Sequence, residues 1–183
     1  MSHPVVLVNE DDQFLGTAEK LRAHTEGWLH RAFSIFVFDD QGRLLLQQRS
    51  EGKYHSGGLW SNTCCSHPQP GESPIDAAHR RLPEELGFDT SLTPAFRETY
   101  HLSVGDDLVE HEHNHVFLGT VDAPDVRPNA DEVADWTWAE PSALRDDVAA
   151  HPHRYTAWFR HLLGPALAAA LSGDPSSTPK SGA

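Results

Sequence analysis

The chain predicts a single compact α/β (α+β) domain with mixed β-sheets flanked by α-helices, and three observations carry that expectation. His30 to Asp39 alternates and is rich in Phe, Ile and Val, and the turn Asp40-Gln41-Gly42 returns it to a second strand, Arg43 to Arg49. Pro74 to Leu86 reads as a helix closed by Gly87. The 183 residues suit one domain with a full hydrophobic core.

Taken in order, Val5 to Asn9 reads as a short strand, followed by an acidic turn at Asp11-Asp12. Thr17 is placed to cap a short helix from Ala18 to about Thr25. After the strand pair at 30–49, Ser50 to Gly71 is a loop rich in Gly, Pro, Ser and His. It is long for a compact domain, and such loops are usually functional. Pro83 is expected to kink the following helix or loosen its last turns. Strands are expected near Phe96–Leu102, Val109–Gly119 and Asp135–Ala139, and the last helices over roughly Pro141–Ala150 and His153–Leu171. Residues 1–171 then make up the domain. Ser172 to Ala183, with Ser, Pro, Gly and Lys, reads as a disordered tail.

Composition excludes several classes. The formal charge is −13, from 27 acidic and 14 basic residues, which argues against nonspecific nucleic-acid binding. It leaves room for an anionic small substrate, because a metal ion and a few local cations can dominate a cleft. No run of about 18 apolar residues is present to span a membrane. The start, MSHPVVLVNEDD, lacks the basic and apolar regions of a secretory signal. The only cysteines, Cys64 and Cys65, are neighbours whose Cα atoms lie about 3.8 Å apart, shorter than the usual disulfide span. Free thiols and a reducing cytoplasm are the expectation.

In L-V-E-H-E-H-N-H-V-F-L-G, period 2 sends Glu110, Glu112 and Asn114 to one face and His111, His113 and His115 to the other. Either face suits a metal ion, and spacing alone leaves both open. The helix at 74–86 taken alone is an amphipathic helix with a charged side. Its sequence R-R-L-P-E-E-L-G-F, eight residues after Glu72, resembles the second half of a Nudix box. Glu72, Arg80, Leu82, Glu84, Glu85, Gly87 and Phe88 fit that motif. Ser66 replaces its opening glycine, and Arg81 replaces the first glutamate of the closing cluster. Those carboxylates collect catalytic magnesium in the hydrolases, so Arg81 puts ordinary diphosphate hydrolysis in doubt.

Further segments extend the resemblance. E-K-L-R-A-H-T at 19–25, L-H-R-A-F-S at 29–34, L-L-L-Q-Q-R at 44–49, W-S-N-T-C-C-S-H-P at 60–68, G-E-S at 71–73 and V-E-H-E at 109–112 are similar to one branch of the Nudix superfamily. That branch is the type 1 isopentenyl-diphosphate isomerase family, and the likeness runs from about Val5 to Leu163. It implies a Nudix fold and favours the Glu110 and Glu112 face. It places a divalent ion (Mn²⁺, Mg²⁺ or Zn²⁺) on His24, His30, His67, Glu110 and Glu112. Three imidazoles and two carboxylates exceed the four ligands that usually close a structural zinc site, and suit a six-coordinate ion. The resemblance also implies Cys65 as the catalytic cysteine, with Cys64 a packed neighbour. Cys65 and Glu112 become the proton-transfer pair, with Tyr100 hydrogen-bonded near Glu112 and the Trp158 π face against the developing cation. Lys20, Arg49, Lys53 and Arg81 match basic residues facing the diphosphate, with Mg²⁺ bridging from Glu85.

The implied activity is metal-dependent conversion of isopentenyl to dimethylallyl diphosphate through a tertiary carbocation, in isoprenoid precursor synthesis. The implied partner is thus a small prenyl diphosphate, with no nucleic acid and no membrane, and the protein a monomer or weak homodimer. Two rivals are carried forward: a Nudix pyrophosphohydrolase of a nucleotide or prenyl diphosphate, and a non-catalytic metal-binding domain.

Overall fold

The structure, a computed structural model, describes residues 3–105 and 107–173. In chain order its elements are β1 (Val5–Val8), β2 (Phe14–Ala18), α1 (Lys20–Glu26), β3 (His30–Asp39), β4 (Leu44–Arg49), β5 (Trp60–Ser61), β6 (Cys64–Ser66), α2 (Pro74–Leu86), β7 (Leu92–Ser103), β8 (Val109–Val121), β9 (Val133–Ala139), α3 (Pro141–Ala150), a 3₁₀ turn (Pro152–Arg154) and α4 (Ala157–Ser172). The chain forms one mixed sheet with helices on both faces.

β3 is the axis of that sheet. Nine of its ten residues are buried, as its apolar composition requires of a strand covered on both faces. It pairs antiparallel with β1, β4 and β6 and parallel with β8, from His30↔Glu112 to Asp39↔Val121. The pleat then sorts side chains. Phe33, Ile35 and Val37, with Phe117 of β8, pack under Ala77, Ala78, Leu82 and Leu86 of α2. Phe36, Phe38 and Val116 meet Trp158, Phe159 and Leu162 of α4 on the opposite face. Full burial of each such leucine is worth about 1.5–3 kcal/mol, so these two clusters hold the helices to the sheet.

Local signals explain the borders. Ser73 caps α2 by accepting from the Asp76 amide. The helix runs on through Pro83 to Leu86, so Pro83 does not end it. Gly87 ends it at φ 79°, and a Cβ there would sit 2.8 Å from the Arg127 backbone oxygen. Both the left-handed turn and the close approach demand glycine.

Several expectations are corrected. Thr17 caps no helix: it pairs with Val6 inside β2, a strand that takes in Ala18, the expected first helical residue. The cap of α1 is Glu19, whose carboxylate accepts from the Leu21 and Arg22 amides. The long loop at 50–71 contains β5 and β6, the latter opposing Cys65 to Ser34 of β3. β7 begins at Leu92 rather than Phe96, with a bulge between Pro94 and Phe96. β9 begins two residues before Asp135. The last helix starts at Ala157, not His153, because Tyr155 bridges Trp60 and the Thr156 amide donates to the Trp60 carbonyl at 2.9 Å. Ser172 belongs to α4 and Gly173 caps it, and residues 174–183 of the expected tail lie outside the described residues. Among the described residues no helix is long and apolar enough to cross a membrane.

Candidate active site

The pleat of β8 turns Glu110 and Glu112 to the α4 face of the sheet, and three histidines converge on them. His24 comes from α1, His30 from the first position of β3, and His67 from the residue after β6. One ligand atom from each of the five lies within 4.8 Å of all the others. Every member except the half-buried His67 is buried. His24 Nε2 is 3.0 Å from Glu110 Oε2, and His67 Nε2 is 2.9 Å from Glu112 Oε1.

The tautomers indicate what belongs between these groups. His24 Nδ1 donates to the Lys20 carbonyl at 2.7 Å, and His30 Nδ1 donates to the Trp28 carbonyl at 2.8 Å. A carbonyl only accepts, so in each neutral ring the lone pair is on Nε2. His24 therefore points a lone pair at a carboxylate oxygen, a contact that needs a proton or cation between the two. His30 Nε2 is buried with no hydrogen-bond partner, 3.7 Å from Glu112 Oε1. Backbone carbonyls that fix the distal nitrogen are the usual outer shell of metal-ligating histidines. The donor set fits a divalent ion. His111, on the other face, donates to the Gly27 carbonyl and stays out of the cluster.

Glu112 is held from further directions. Tyr100, its cross-strand partner on β7, donates to Oε2 at 2.5 Å, and Asn114 Nδ2 reaches the same oxygen at 3.1 Å and the tyrosine oxygen at 3.0 Å. Cys65 is on the same side of the sheet: it opposes Ser34 and packs toward the α4 cluster, whereas Cys64 is sealed under α2. Both cysteines are free.

A cavity of about 520 Å³ opens over this floor, and every predicted site residue lines it except His24, His30 and Tyr100, which sit buried behind it. Its cations are not free. Lys53 pairs with Glu132. Arg81 donates to Glu84 at 2.6 Å and Glu85 at 2.7 Å, and lies 3.3 Å from Glu132. Glu85 also accepts from Gln47 at 2.8 Å, so both its oxygens are engaged. Arg49 lies over the Trp158 ring at 5.1 Å, and Lys20 over that of Tyr54 at 5.4 Å. The Nε atoms of Arg49 and Arg81 and the Trp158 indole nitrogen are buried donors without partners, which is a donor set suited to an oxyanion.

Two neighbours escaped the sequence reading. Asn114 was legible as a face-mate of Glu112 but carried no assigned role. His55 carried no signal in the sequence, yet its Nε2 lies 3.0 Å from Glu110 Oε1 and its ring meets Trp158 edge-on at 5.9 Å.

Burial and mutual charge set the protonation states. Burial pushes both glutamates up, and so does the Glu110 charge acting on Glu112. The histidines outweigh this and hold both carboxyls below their ordinary range. The two imidazoles sharing Glu110 diverge: burial opposes protonation of both, but Glu110 carries His24 above its ordinary value while His55 ends below. Burial takes His67 down to about 4 and pushes the Cys65 thiol up to about 12. Burial, then the Glu112 charge, lifts Tyr100 well above its usual range.

Comparisons with known proteins agree with this architecture. A NUDIX domain model matches residues 28–159. The chain is 52% identical over 163 residues to isopentenyl-diphosphate Delta-isomerase 2 of Aromatoleum aromaticum, covering 89% of this chain and 86% of that one. It is 50% identical to the isopentenyl-diphosphate Delta-isomerase of Burkholderia multivorans, covering 89% and 92%. The corresponding isomerase of Streptomyces avermitilis is 51% identical, with 86% and 80% covered. Among solved structures, a Deinococcus radiodurans protein superimposes with a TM-score of 0.73 at 21% identity, covering 88% of this chain and 98% of that one. A MutT protein from Methanosarcina mazei gives 0.61 at 20%, covering 74% and 91%. These two likenesses concern the fold.

Proposed function

This chain belongs to the NUDIX-domain isopentenyl-diphosphate Delta-isomerases, and from that premise we propose that Cys65 and Glu112 are the groups through which it moves the double bond. It is an enzyme, converting isopentenyl to dimethylallyl diphosphate. One proton is added at C4 and another removed at C2, so each turnover is neutral in protons. An unactivated alkene is a poor base, and the tertiary cation it forms would be captured by water. The site therefore needs two proton-transfer groups and a dry lining.

The observation that carries the reading is Glu112. It is buried, fixed by Tyr100, Asn114 and His67, and shares one cavity with the Cys65 thiol. Cys65 holds its proton at Sγ near neutral pH, and Glu112 is there a carboxylate. Trp158, which lines the cavity, supplies an aromatic ring for the developing cation. Arg49 Nε and Arg81 Nε, together with Lys20 and Lys53, orient the diphosphate.

His24, His30, His67, Glu110 and Glu112 would hold a divalent ion, Mn²⁺, Zn²⁺ or Mg²⁺, and Glu85 would share an Mg²⁺ with the diphosphate. When bound, such ions supply positive charge that stabilises the paired carboxylates and the phosphate oxygens. The reading is of a monomer or weak homodimer in the cytoplasm, a compartment that suits the adjacent free thiols.

The test is incubation with isopentenyl diphosphate and Mg²⁺ in D₂O, followed by NMR. Deuterium in dimethylallyl diphosphate without phosphate release is the expected result. Phosphate release with an unmoved double bond would return the chain to the hydrolases, and bound metal with no turnover would leave a binding domain.

A further inference from the structure

The histidines on the far face of β8 have a partner that the reaction does not use. The turn between β1 and β2 holds Asp12 at φ 61°, and Asn9 fixes that turn by accepting from the Asp11 and Gln13 amides. The Asp12 carboxylate thereby reaches β8, where His113 and His115 project together. Oδ2 is 2.8 Å from His115 Nε2 and 3.9 Å from His113 Nε2, and the three ligand atoms lie within 4.8 Å of one another. His113 is 8% exposed, its Nε2 has no hydrogen-bond partner, and that atom is aimed at the carboxylate. The other ring nitrogen is occupied, 2.9 Å from the Thr99 hydroxyl. The opposite carboxylate oxygen, Oδ1, accepts from Arg31 Nε at 2.7 Å, and Arg31 also holds the Asp12 carbonyl. Oδ2 is thus left facing the two imidazoles.

We propose that Asp12, His113 and His115 form a second divalent-cation site, taking a transition ion such as Zn²⁺, Co²⁺ or Ni²⁺ and pinning the β1–β2 turn to β8. Two imidazoles and a carboxylate are a ligand set for a borderline ion. Thr99 and Arg31 supply the outer hydrogen bonds that orient such ligands. The Arg31 charge opposes any cation here, which disfavours Mg²⁺ and Ca²⁺, ions that draw nothing from imidazole. The site uses none of the atoms of the His24 cluster, because odd and even residues of β8 face opposite ways.

The test counts Co²⁺. Chelator-stripped full chain, Asp12→Asn and His113→Ala are each dialysed against Co²⁺, and bound ion per chain is measured by mass spectrometry, with the visible absorption spectrum recorded. The expected result is one Co²⁺ fewer in each variant than in the wild type, loss of one component of the spectrum, and an unchanged isomerisation rate with Mg²⁺. The readout is a difference between proteins, so it does not depend on whether the His24 cluster fills. Equal counts in wild type and Asp12→Asn, a variant that keeps the oxygen facing Arg31, would overturn the proposal.

Discussion

Tyr100 and Glu112 are direct cross-strand partners, both buried, and the tyrosine hydroxyl donates to Glu112 Oε2 at 2.5 Å. A hydrogen bond to a charged group is worth about 1.5–3 kcal/mol. Tyr100→Phe keeps the ring in the core and removes only that donor. Its kcat should fall roughly 10–100-fold, with KM for isopentenyl diphosphate little changed. An unaltered kcat in steady-state assays would detach Tyr100 from the chemistry.

Cys64 and Cys65 differ by one residue and therefore by a face of the sheet. Cys65→Ala should lower kcat by about 10² or more, the usual contribution of a proton-transfer group. Cys64→Ala should keep the rate within a few fold and lower unfolding stability by about 1 kcal/mol, through a small void under α2. Denaturant melts and product assays on both variants check the pair. A reversed outcome would mean that β6 pairs one residue out of register.

Arg81 donates to Glu84 and Glu85. Arg81→Gln should raise KM for the diphosphate about tenfold or more, and Arg81→Glu further still. Inorganic phosphate stays absent in both. An unchanged KM in either would show that the guanidinium serves its carboxylate neighbours alone.

His24 is the imidazole of the cluster that Glu110 holds above its ordinary value, whereas burial keeps His55 and His67 below theirs. On acidification a proton therefore competes with a cation at His24 before it does so at His55 or His67. Ion affinity should decline as pH falls from 8 to 6, by up to about tenfold per unit for one competing proton. Equilibrium dialysis at pH 8, 7 and 6 measures this, and a flat profile would exclude His24 as a ligand. In the ion-free protein the sign runs the other way. A raised His24 contributes stability that is fully present below about pH 6.5 and is lost as pH rises through its folded-state value.

Glu72 and Arg80 form a two-pronged ion pair, at 2.7 and 2.9 Å, that ties the loop before α2 to the helix. The Arg80 hydrogen bond holds Glu72 below the ordinary carboxylate range despite partial burial. A depressed value contributes stability present above the unfolded-state pKa and lost as pH falls through the folded-state one. Wild type should therefore lose more stability than Glu72→Gln between pH 5 and pH 3 in denaturant titrations. Equal losses would mean that the pair contributes nothing.

Much of this molecule was legible as sequence. The long apolar strand at 30–39, the turn at 40–42, the α2 helix with its glycine stop and the opposite facing of Glu112 and His113 follow from local geometry that each residue carries with it. The resemblance to a known family named residues that line the cavity, which spacing alone left open between the two faces of β8. Where the expectations failed, β5 and β6 are too brief for a period to register, and β2 has no buried face to mark it. Tertiary structure alone decided the rest. It brought His55 onto Glu110 and Asp12 onto two histidines of β8, and it placed Arg81 and Lys53 beside Glu132. Each of these joins side chains whose chemistry is local but whose distance is set by how β3 gathers four strands around itself, a property of the whole packed chain.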